Sequence, residues 1–193
     1  MLNKIIEILI SMLLLIPVFS VLNITRFHSI KKTILYFVFA TYLAAAYLFV
    51  GMPTLQFMRF DLSLTLVPFL PMVADFKNTI LNIILFVPLG IMLPFLWKKY
   101  NTLKAAAVFG FMMSLSIELL QLFTYRATDI NDLIANTLGT VFGYFLFRMI
   151  SYLVPSVRNV AKRKTEVAAV IVPVILVMFF VQPYLASIFY KIT

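Results

Sequence analysis

The chain has 193 residues, of which 63% are hydrophobic and only 12% are charged, and its mean hydropathy is +1.05. These values exclude a water-soluble globular domain and indicate an integral membrane protein. Because the sequence contains no cysteine, disulfides, thiolate nucleophiles and thiolate metal sites are excluded as well.

Six stretches are apolar over the length of about 20 residues that a membrane-spanning helix needs. They cover residues 5–22, 33–50, 78–97, 104–124, 132–152 and 167–190. We therefore predict an all-α membrane protein, multi-pass in the cell membrane, with six transmembrane helices in a compact bundle. The first stretch follows Lys4 and lacks a small-x-small cleavage site, so we interpret it as a retained helix rather than a secretory signal.

Lysine and arginine alternate between the two sides of the predicted bundle. Eleven lie around the first, third and fifth connections between segments, and five lie on the opposite side. Short loops rich in these residues remain cytoplasmic, so both termini are predicted to lie outside. Six of the seven acidic residues then map to the outer half, which predicts binding or chemistry at the outer face.

The net charge of +9 is interpreted as a topology signal that also attracts anionic membrane lipids. Nucleic acid is not a predicted partner, because the basic residues form short loops between spans rather than a folded basic domain with stacking aromatics. The oligomeric state is not indicated by the sequence.

The connection between the second and third segments, residues 51–77, is semi-apolar and contains three prolines. Alternation at Leu62, Leu64 and Leu66 is consistent with a short extended segment or with a half-buried re-entrant piece. The connection is interpreted either as a lid over the mouth of the bundle or as a plain surface loop.

The third segment follows Asp75, a suitable helix cap, and carries Asn78 and Asn82 on one face. These amides either hydrogen-bond neighbouring helices or orient a polar headgroup or a catalytic carboxylate. Three residues are expected to kink or loosen the inner half of this helix: Pro88, Gly90 and Pro94.

The fourth segment carries Ser114, Glu118 and Gln121 on one face. An ionised carboxylate inside a span costs about 3 kcal/mol on insertion scales, so Glu118 should have a partner or be protonated. One interpretation is a structural ion pair between Glu118 and Arg126. The other is a general acid or base whose proton is retained by apolar surroundings.

The fifth segment begins with good capping residues, Asp129 and Asn131. Asp132 and Asn136 follow one turn apart. The same face continues with small residues: Gly139, Thr140 and Gly143. The spacing of the two glycines forms a small-xxx-small surface, which predicts close approach of another helix.

The polar side chains of the third, fourth and fifth segments are expected to converge at the outer mouth of the bundle. Arg126, with Lys77 or Arg59, would hold a phosphate or carboxylate. Glu118 and Asp132 are the candidate catalytic residues for proton transfer. The candidate substrate-binding residues are Asn78, Asn82, Gln121, Arg126, Asp129 and Asn136.

No cofactor is predicted, and the weaker alternative is a divalent cation on Glu118, Asp129 and Asp132, which have no recognised ligand spacing. A serine-histidine nucleophile is not expected, because the only histidine, His28, lies on the opposite side.

Three stretches carry a resemblance to a known family: NIILFVPLGIMLP (residues 82–94), SIELLQLFTYRATDINDLIANTLGTVFGY (residues 116–144) and Val67-Pro68-Phe69. Over residues 65–150 the chain resembles the VanZ-like family. This resemblance implies a small polytopic bacterial membrane protein, and the family's namesake is associated with resistance to teicoplanin, a lipoglycopeptide that binds cell-wall precursors outside the membrane.

The resemblance also implies which positions matter: Asn82, Pro88, Gly90, Glu118, Gln121, Arg126, Asp129, Asp132, Asn136, Gly139 and Gly143. The asparagine that the family commonly places shortly before the proline-phenylalanine pair is replaced here by Ser63, Leu64 or Thr65. We divide the chain into an N-terminal two-helix segment with its outer loop (residues 1–64), a VanZ-like core (65–150), and a basic loop with the last helix (151–193).

The predicted function is an outward-facing site that binds or modifies a lipid-linked component of the cell envelope, such as a polyprenyl-phosphate precursor or the lipid tail of a lipoglycopeptide, and contributes to teicoplanin-type resistance. Enzymatic activity is left open. A non-enzymatic binding, adaptor or structural protein is the second hypothesis. A transporter is third, because the inner halves of the third to fifth segments are almost wholly apolar up to Arg148.

Overall fold

A computed structural model of the chain describes residues 2–56, 58, 60, 63–65, 67–124, 128–154 and 166–192. Within these residues, six helices are long and apolar enough to cross a membrane, in agreement with the sequence. They are Asn3–Phe27, Ile30–Val50, Phe76–Leu96, Leu103–Gln121, Ile130–Leu153 and Glu166–Lys191. The predicted all-α membrane fold is confirmed.

The first and second spans are α1 (Leu2–Leu22), which continues into a π-helical turn at Asn23–Phe27, and α2 (Ile30–Val50). A short helix α3 (Leu70–Ala74) precedes α4 (Phe76–Leu96), α5 (Leu103–Gln121) and α6 (Ile130–Leu153). The last span consists of α7 (Glu166–Leu176), a π-helical turn (Val177–Val181) and α8 (Gln182–Ile192). Two strands of two residues, β1 (Leu64–Thr65) and β2 (Thr128–Asp129), pair in parallel.

The chain divides into two compact units. The first comprises Met1–Met58 and Thr165–Thr193, and the second comprises Arg59–Lys164. The first unit combines both ends of the chain because α1 and α2 pack with α7 and α8. The second unit contains α4, α5 and α6 and with them the whole of residues 65–150.

The closest helix packing in the second unit joins α4 and α6, which run parallel. A Cβ atom added at Gly139 would collide with the backbone carbonyl of Ile83, and one added at Gly143 would collide with that of Val87. Only a hydrogen side chain allows this backbone-to-backbone approach. The close approach predicted from the spacing of these glycines is thus confirmed.

A third glycine completes this contact from the opposite helix. A Cβ atom at Gly90 would collide with the carbonyl of Thr140 and lie 2.8 Å from the backbone nitrogen of Tyr144. Although Pro88 and Pro94 each remove a backbone donor, α4 runs without interruption from Phe76 to Leu96. Gly90 therefore permits close packing on α6, while the kink or loosening expected from Pro88, Gly90 and Pro94 stays a prediction.

A proline shapes the last span of the first unit. Pro183 has no N–H, so the carbonyl of Phe179, four residues earlier, lacks its usual helical donor. The backbone N–H of Leu55 donates to that carbonyl at 3.1 Å. The connection that follows α2 is thereby attached to the last span at the π-helical turn.

The first unit also buries a carboxylate at the opposite end of α2. Glu166, which is 2% exposed, accepts a hydrogen bond on Oε2 from the Tyr36 hydroxyl. The ammonium of Lys32 lies 3.7 Å from the other carboxylate oxygen. The charge of Glu166 is therefore compensated from α2 at the side that the sequence assigns to the cytoplasm.

Tyr36→Phe is expected to lower the free energy of unfolding by about 2 kcal/mol, because a hydrogen bond to a charged group contributes roughly 1.5–3 kcal/mol. Denaturant unfolding of the purified protein in detergent measures this effect. Tyr184→Phe is the matched control, since that ring is 59% exposed and its hydroxyl makes no hydrogen bond with the described residues. Equal stability of the two variants would contradict a stabilising role for the Tyr36–Glu166 bond.

Candidate functional site

The polar face predicted on α5 points into the second unit. The helix begins after Thr102, whose side chain caps it, and its spacing places Ser114, Glu118 and Gln121 on the buried side. The Ser114 hydroxyl accepts a hydrogen bond from Asn136 Nδ2 on α6 at 2.9 Å. Polar side chains thus line the contact between these two antiparallel helices.

Glu118 joins the end of α5 to the beginning of α6. Its carboxylate Oε2 accepts a hydrogen bond from the backbone N–H of Asp129 at 2.8 Å, and its backbone carbonyl accepts one from the Thr128 hydroxyl at 2.9 Å. The residue is 3% exposed. Since the carboxylate lies at the N-terminal end of α6, both the N–H donor and the helix dipole stabilise its negative charge.

Asp129 occupies the capping position that the sequence suggested. Its Oδ1 accepts hydrogen bonds from the Asn131 backbone N–H at 2.8 Å and from Asn131 Nδ2 at 2.7 Å. One of the two acids at the start of α6 therefore has a structural role. The other acid, Asp132, is half-buried and lies in the first turn of α6, three residues after the cap.

The segment 63–69 is attached to the beginning of α6. Strand β1 pairs Leu64 with Thr128 and Thr65 with Asp129, and the Thr128 N–H donates to the Ser63 carbonyl at 2.9 Å. Of the two alternatives for Leu62, Leu64 and Leu66, the extended one holds at Leu64, whereas Leu62 and Leu66 lie outside the described residues.

Asn131 provides the side-chain part of this attachment. Its Nδ2 donates to the Val67 carbonyl at 2.9 Å, and its Oδ1 accepts from the Phe69 N–H at 2.8 Å. Phe69 has φ 68°, in the left-handed region, which costs a non-glycine residue of order 1–3 kcal/mol. The amide of Asn131 binds on both sides of Pro68 and offsets that strain.

The amides predicted on α4 have different surroundings. Asp75 caps α4 as predicted and accepts hydrogen bonds from both the backbone and the side chain of the exposed Asn78. Asn82 is half-buried and makes no side-chain hydrogen bond with any described residue. Asn78 is thus engaged locally at the helix end, and only Asn82 keeps an available amide.

The remaining candidates are buried, undescribed or exposed. Gln121 and Asn136 are both buried, at 2% and 3% exposure. Arg126 lies outside the described residues, as does Arg59, so the predicted ion pair with Glu118 and the predicted anion clamp stay predictions. Lys77 is exposed near the start of α4.

The weaker alternative from the sequence places a divalent cation on the carboxylates of Glu118, Asp129 and Asp132. Among the residues that the structure describes, no three His, Cys, Asp or Glu side chains come close enough to hold a metal ion. Glu118, Asp129 and Asp132 all belong to that set. The weaker alternative of a divalent cation on these three residues therefore finds no support in their geometry.

Sequence reasoning gave Asn131 only a capping role and did not single out Thr128. Local spacing identifies helix caps, but it contains no signal for a contact between residues 67 and 131. The other side of this contact is Val67-Pro68-Phe69, which carried part of the family resemblance. The resemblance did not indicate that Asn131 binds it.

Asn131→Ala is expected to release the segment 63–69, because it removes the donor to Val67 and the acceptor for Phe69. Hydrogen–deuterium exchange should rise by about tenfold or more in the backbone amides of this segment, as two hydrogen bonds of about 1 kcal/mol each are lost. Asn101→Ala is the matched control, since the Asn101 side chain makes no hydrogen bond with the described residues. Unchanged exchange at Phe69 in Asn131→Ala would disprove the attachment.

The helices α1 to α6 lie almost entirely within a region that matches a known protein family. The sequence model of the VanZ/LLP1 family matches residues 3–151. This chain belongs to the VanZ/LLP1 family. Protein VanZ of Enterococcus faecium is 38% identical over 86 residues, which cover 44% of this chain and 52% of that protein. The chain thus spans about half the length of this curated relative.

No solved structure shows a significant match to this VanZ/LLP1 protein. The family match begins at residue 3, whereas the motifs in the sequence supported a resemblance only over 65–150. Helices α1 and α2 of the first unit therefore belong to the family region, in addition to the α4–α6 unit that contains the polar site.

Proposed function

We propose that this VanZ/LLP1 protein binds a lipid-linked component of the cell envelope at the polar contact of α5 with α6, and that binding contributes to resistance to teicoplanin-type glycopeptides. The observation that carries this proposal is the side chain of Asn136. Its Nδ2 is used by Ser114, but its buried Oδ1 has no hydrogen-bond partner among the described residues.

An unsatisfied buried acceptor costs about 1–3 kcal/mol, so a packing role alone does not account for Asn136. A hydroxyl or amide group of a ligand would satisfy it. The half-buried Asp132, one turn before Asn136, adds a carboxylate to the same helix face. From the sequence, Arg126 is the proposed contact for the phosphate of a lipid-linked precursor.

The segment attached by Asn131 offers apolar surface to such a ligand. Val67 and Phe69 are 57% and 64% exposed, although their backbone groups are bound to Asn131. An amphipathic ligand has a polar part for buried amides and an acyl or polyprenyl part for exposed apolar side chains. This combination supports a lipid-linked ligand over a small soluble one.

Binding fits the geometry better than catalysis. Oε2 of Glu118 already accepts the Asp129 N–H, so this oxygen is engaged in holding the start of α6. A general acid or base needs an oxygen that can reach the reacting group of a substrate. Glu118 is therefore proposed to position β2 and α6 electrostatically.

A purely structural or adaptor role is the second candidate. It is favoured by the hydrogen bonds that Glu118, Asp129 and Asn131 make with one another's backbone or side chain. Under this role, substitutions at the polar contact would lower the amount of protein in the membrane together with any protection.

The proposal is tested by teicoplanin and vancomycin susceptibility in a host that lacks a related protein. Wild type, Asn136→Leu, Asp132→Asn and the control Asn101→Ala are compared at matched membrane abundance. We expect selective protection against teicoplanin from wild type and the control, and its loss in the other two variants. Absence of protection from abundant wild type would refute the resistance assignment.

The outward orientation of the site is part of the proposal and has its own test. Because the chain has no cysteine, a single introduced cysteine reports accessibility cleanly. Asn78→Cys and Lys99→Cys alter exposed residues near opposite ends of α4. A membrane-impermeant maleimide should label only the first in intact cells, and the reverse pattern would place the site on the cytoplasmic side.

A further inference from the structure

The first unit contains a cavity that the proposed envelope-lipid site does not use. Its volume is about 340 Å³, and it lies between the N-terminal part of α1, the end of α2 with its connection, and α8. Its polar lining includes Lys4, Glu7, Tyr47, Thr54, Gln182 and Tyr190.

Two neutral polar groups in the lining have no partner among the described residues. Gln182, at the start of α8, is 3% exposed, and its side-chain amide makes no hydrogen bond with any of them. The hydroxyl oxygen of Thr54 is buried and is likewise unpaired within the described chain. Amide and hydroxyl can each donate and accept, so they can bind either end of a dipolar ligand.

The lining also carries one charge of each sign. The Lys4 ammonium donates to the Leu48 carbonyl at 3.0 Å and lies 3.6 Å from a Glu7 carboxylate oxygen. The Lys4 side chain is 44% exposed and the Glu7 side chain 20%, so both charges remain open to a ligand at the mouth. A singly charged ligand would be attracted by one of them and repelled by the other.

A zwitterion with one phosphate and one ammonium matches this arrangement. Its phosphate can accept from Lys4 and Thr54, its ammonium can donate to Glu7, and the Gln182 amide can serve both. Apolar walls accompany these groups, since Leu48, Met52, Pro183 and Ala186 also line the cavity. The ligand therefore has a polar head joined to an apolar part.

We propose that this cavity binds the phosphoethanolamine headgroup of a membrane phospholipid. A primary ammonium is required because it donates hydrogen bonds to Glu7 and Gln182, which the trimethylammonium of phosphocholine cannot do. Phosphoglycerol has the hydroxyl groups but brings only a negative charge to Glu7. Selectivity among the three headgroups is the signature of the site.

Native mass spectrometry of the purified full chain in detergent tests the proposal. Phosphatidylethanolamine, phosphatidylglycerol and phosphatidylcholine with the same acyl chains are titrated separately. We expect the first to bind at least about fivefold more tightly than the others. Equal binding of the three lipids would overturn the proposal, and binding of free phosphoethanolamine without binding of the lipid would show a soluble ligand instead.

Variants locate the binding in this cavity. Gln182→Leu and Glu7→Gln should each weaken phosphatidylethanolamine binding by about tenfold, the loss typical of a hydrogen bond to a charged group. Gln182→Leu removes no hydrogen bond to a described residue, so the lipid-free variant should melt at about the same temperature as wild type or higher. Lys191→Met, which removes a charge outside the lining, is the control.

Wild-type affinity in Gln182→Leu would overturn the assignment even if Glu7→Gln failed to fold. This experiment contains no glycopeptide and no variant of α5 or α6. Its outcome is therefore independent of the proposed resistance function.

Discussion

Glu118→Gln is expected to abolish protection against teicoplanin while leaving the amount of protein in the membrane within about twofold of wild type. The glutamine Oε1 can still accept the Asp129 N–H, so the connection between α5 and α6 is preserved. What disappears is the negative charge at the start of α6. Measured minimum inhibitory concentrations at matched abundance report the loss.

Glu118→Ala separates the charge from the hydrogen bond. Alanine leaves the Asp129 N–H without its acceptor, at a cost of about 1–3 kcal/mol, so membrane abundance should fall as well. Asp75→Asn is the matched acid-to-amide control, since an asparagine oxygen still caps α4. Full protection from Glu118→Gln would mean that the charge is unnecessary and that Glu118 acts only in packing.

Gly90→Ala is expected to cause the largest loss of folded protein among single-methyl additions. The new Cβ would meet the backbone of α6 at Thr140, Gly143 and Tyr144, and backbone atoms cannot move aside as a side chain can. Overpacking of this kind costs about 3 kcal/mol. Alanine gains about 1 kcal/mol in helix propensity over glycine, so any net loss understates the clash.

Gly110→Ala is the matched control for this prediction. It also places a methyl group against Thr140, but against the side chain rather than the backbone carbonyl: Oγ1 and Cγ2 can rotate away, and only the contact with Cβ at 2.7 Å requires a shift of the helices. Thermal unfolding in detergent, followed by size-exclusion chromatography, should therefore show a larger fall in melting temperature for Gly90→Ala than for Gly110→Ala. Equal effects would contradict the rigid backbone contact between α4 and α6.

Much of this fold follows from patterns within a single segment. Apolar length predicts the six spans to within a few residues at most ends, and helical spacing predicts the buried face of Ser114, Glu118 and Gln121. The cap at Asp75 and the close approach at Gly139 and Gly143 also depend on local spacing. These features can be predicted from the sequence because each depends on the spacing of residues within a single helix.

The candidate site was less predictable because its contacts cross between segments. The sequence offered Arg126 as one possible partner of Glu118, and that ion pair stays a prediction because Arg126 lies outside the described residues. The hydrogen bond from the Asp129 backbone N–H to Glu118 could not be predicted, because a backbone donor does not depend on residue type.

Similarly, the sequence predicted the capping role of Asn131. It could not predict the hydrogen bonds of Asn131 with Val67 and Phe69, because these depend on which connecting segment lies against α6. The left-handed Phe69 has no sequence signal, since phenylalanine does not favour that region.

Pro183 and Leu55 together limit how the connection after α2 can vary in length. The Phe179 carbonyl would lose its donor if Leu55 did not reach it, at a cost of about 1–3 kcal/mol where the carbonyl is buried. Only three residues separate Leu55 from Gly51, the cap of α2. Insertions or deletions within that stretch would withdraw the donor, so relatives that retain a proline here should keep this spacing constant and place length changes elsewhere.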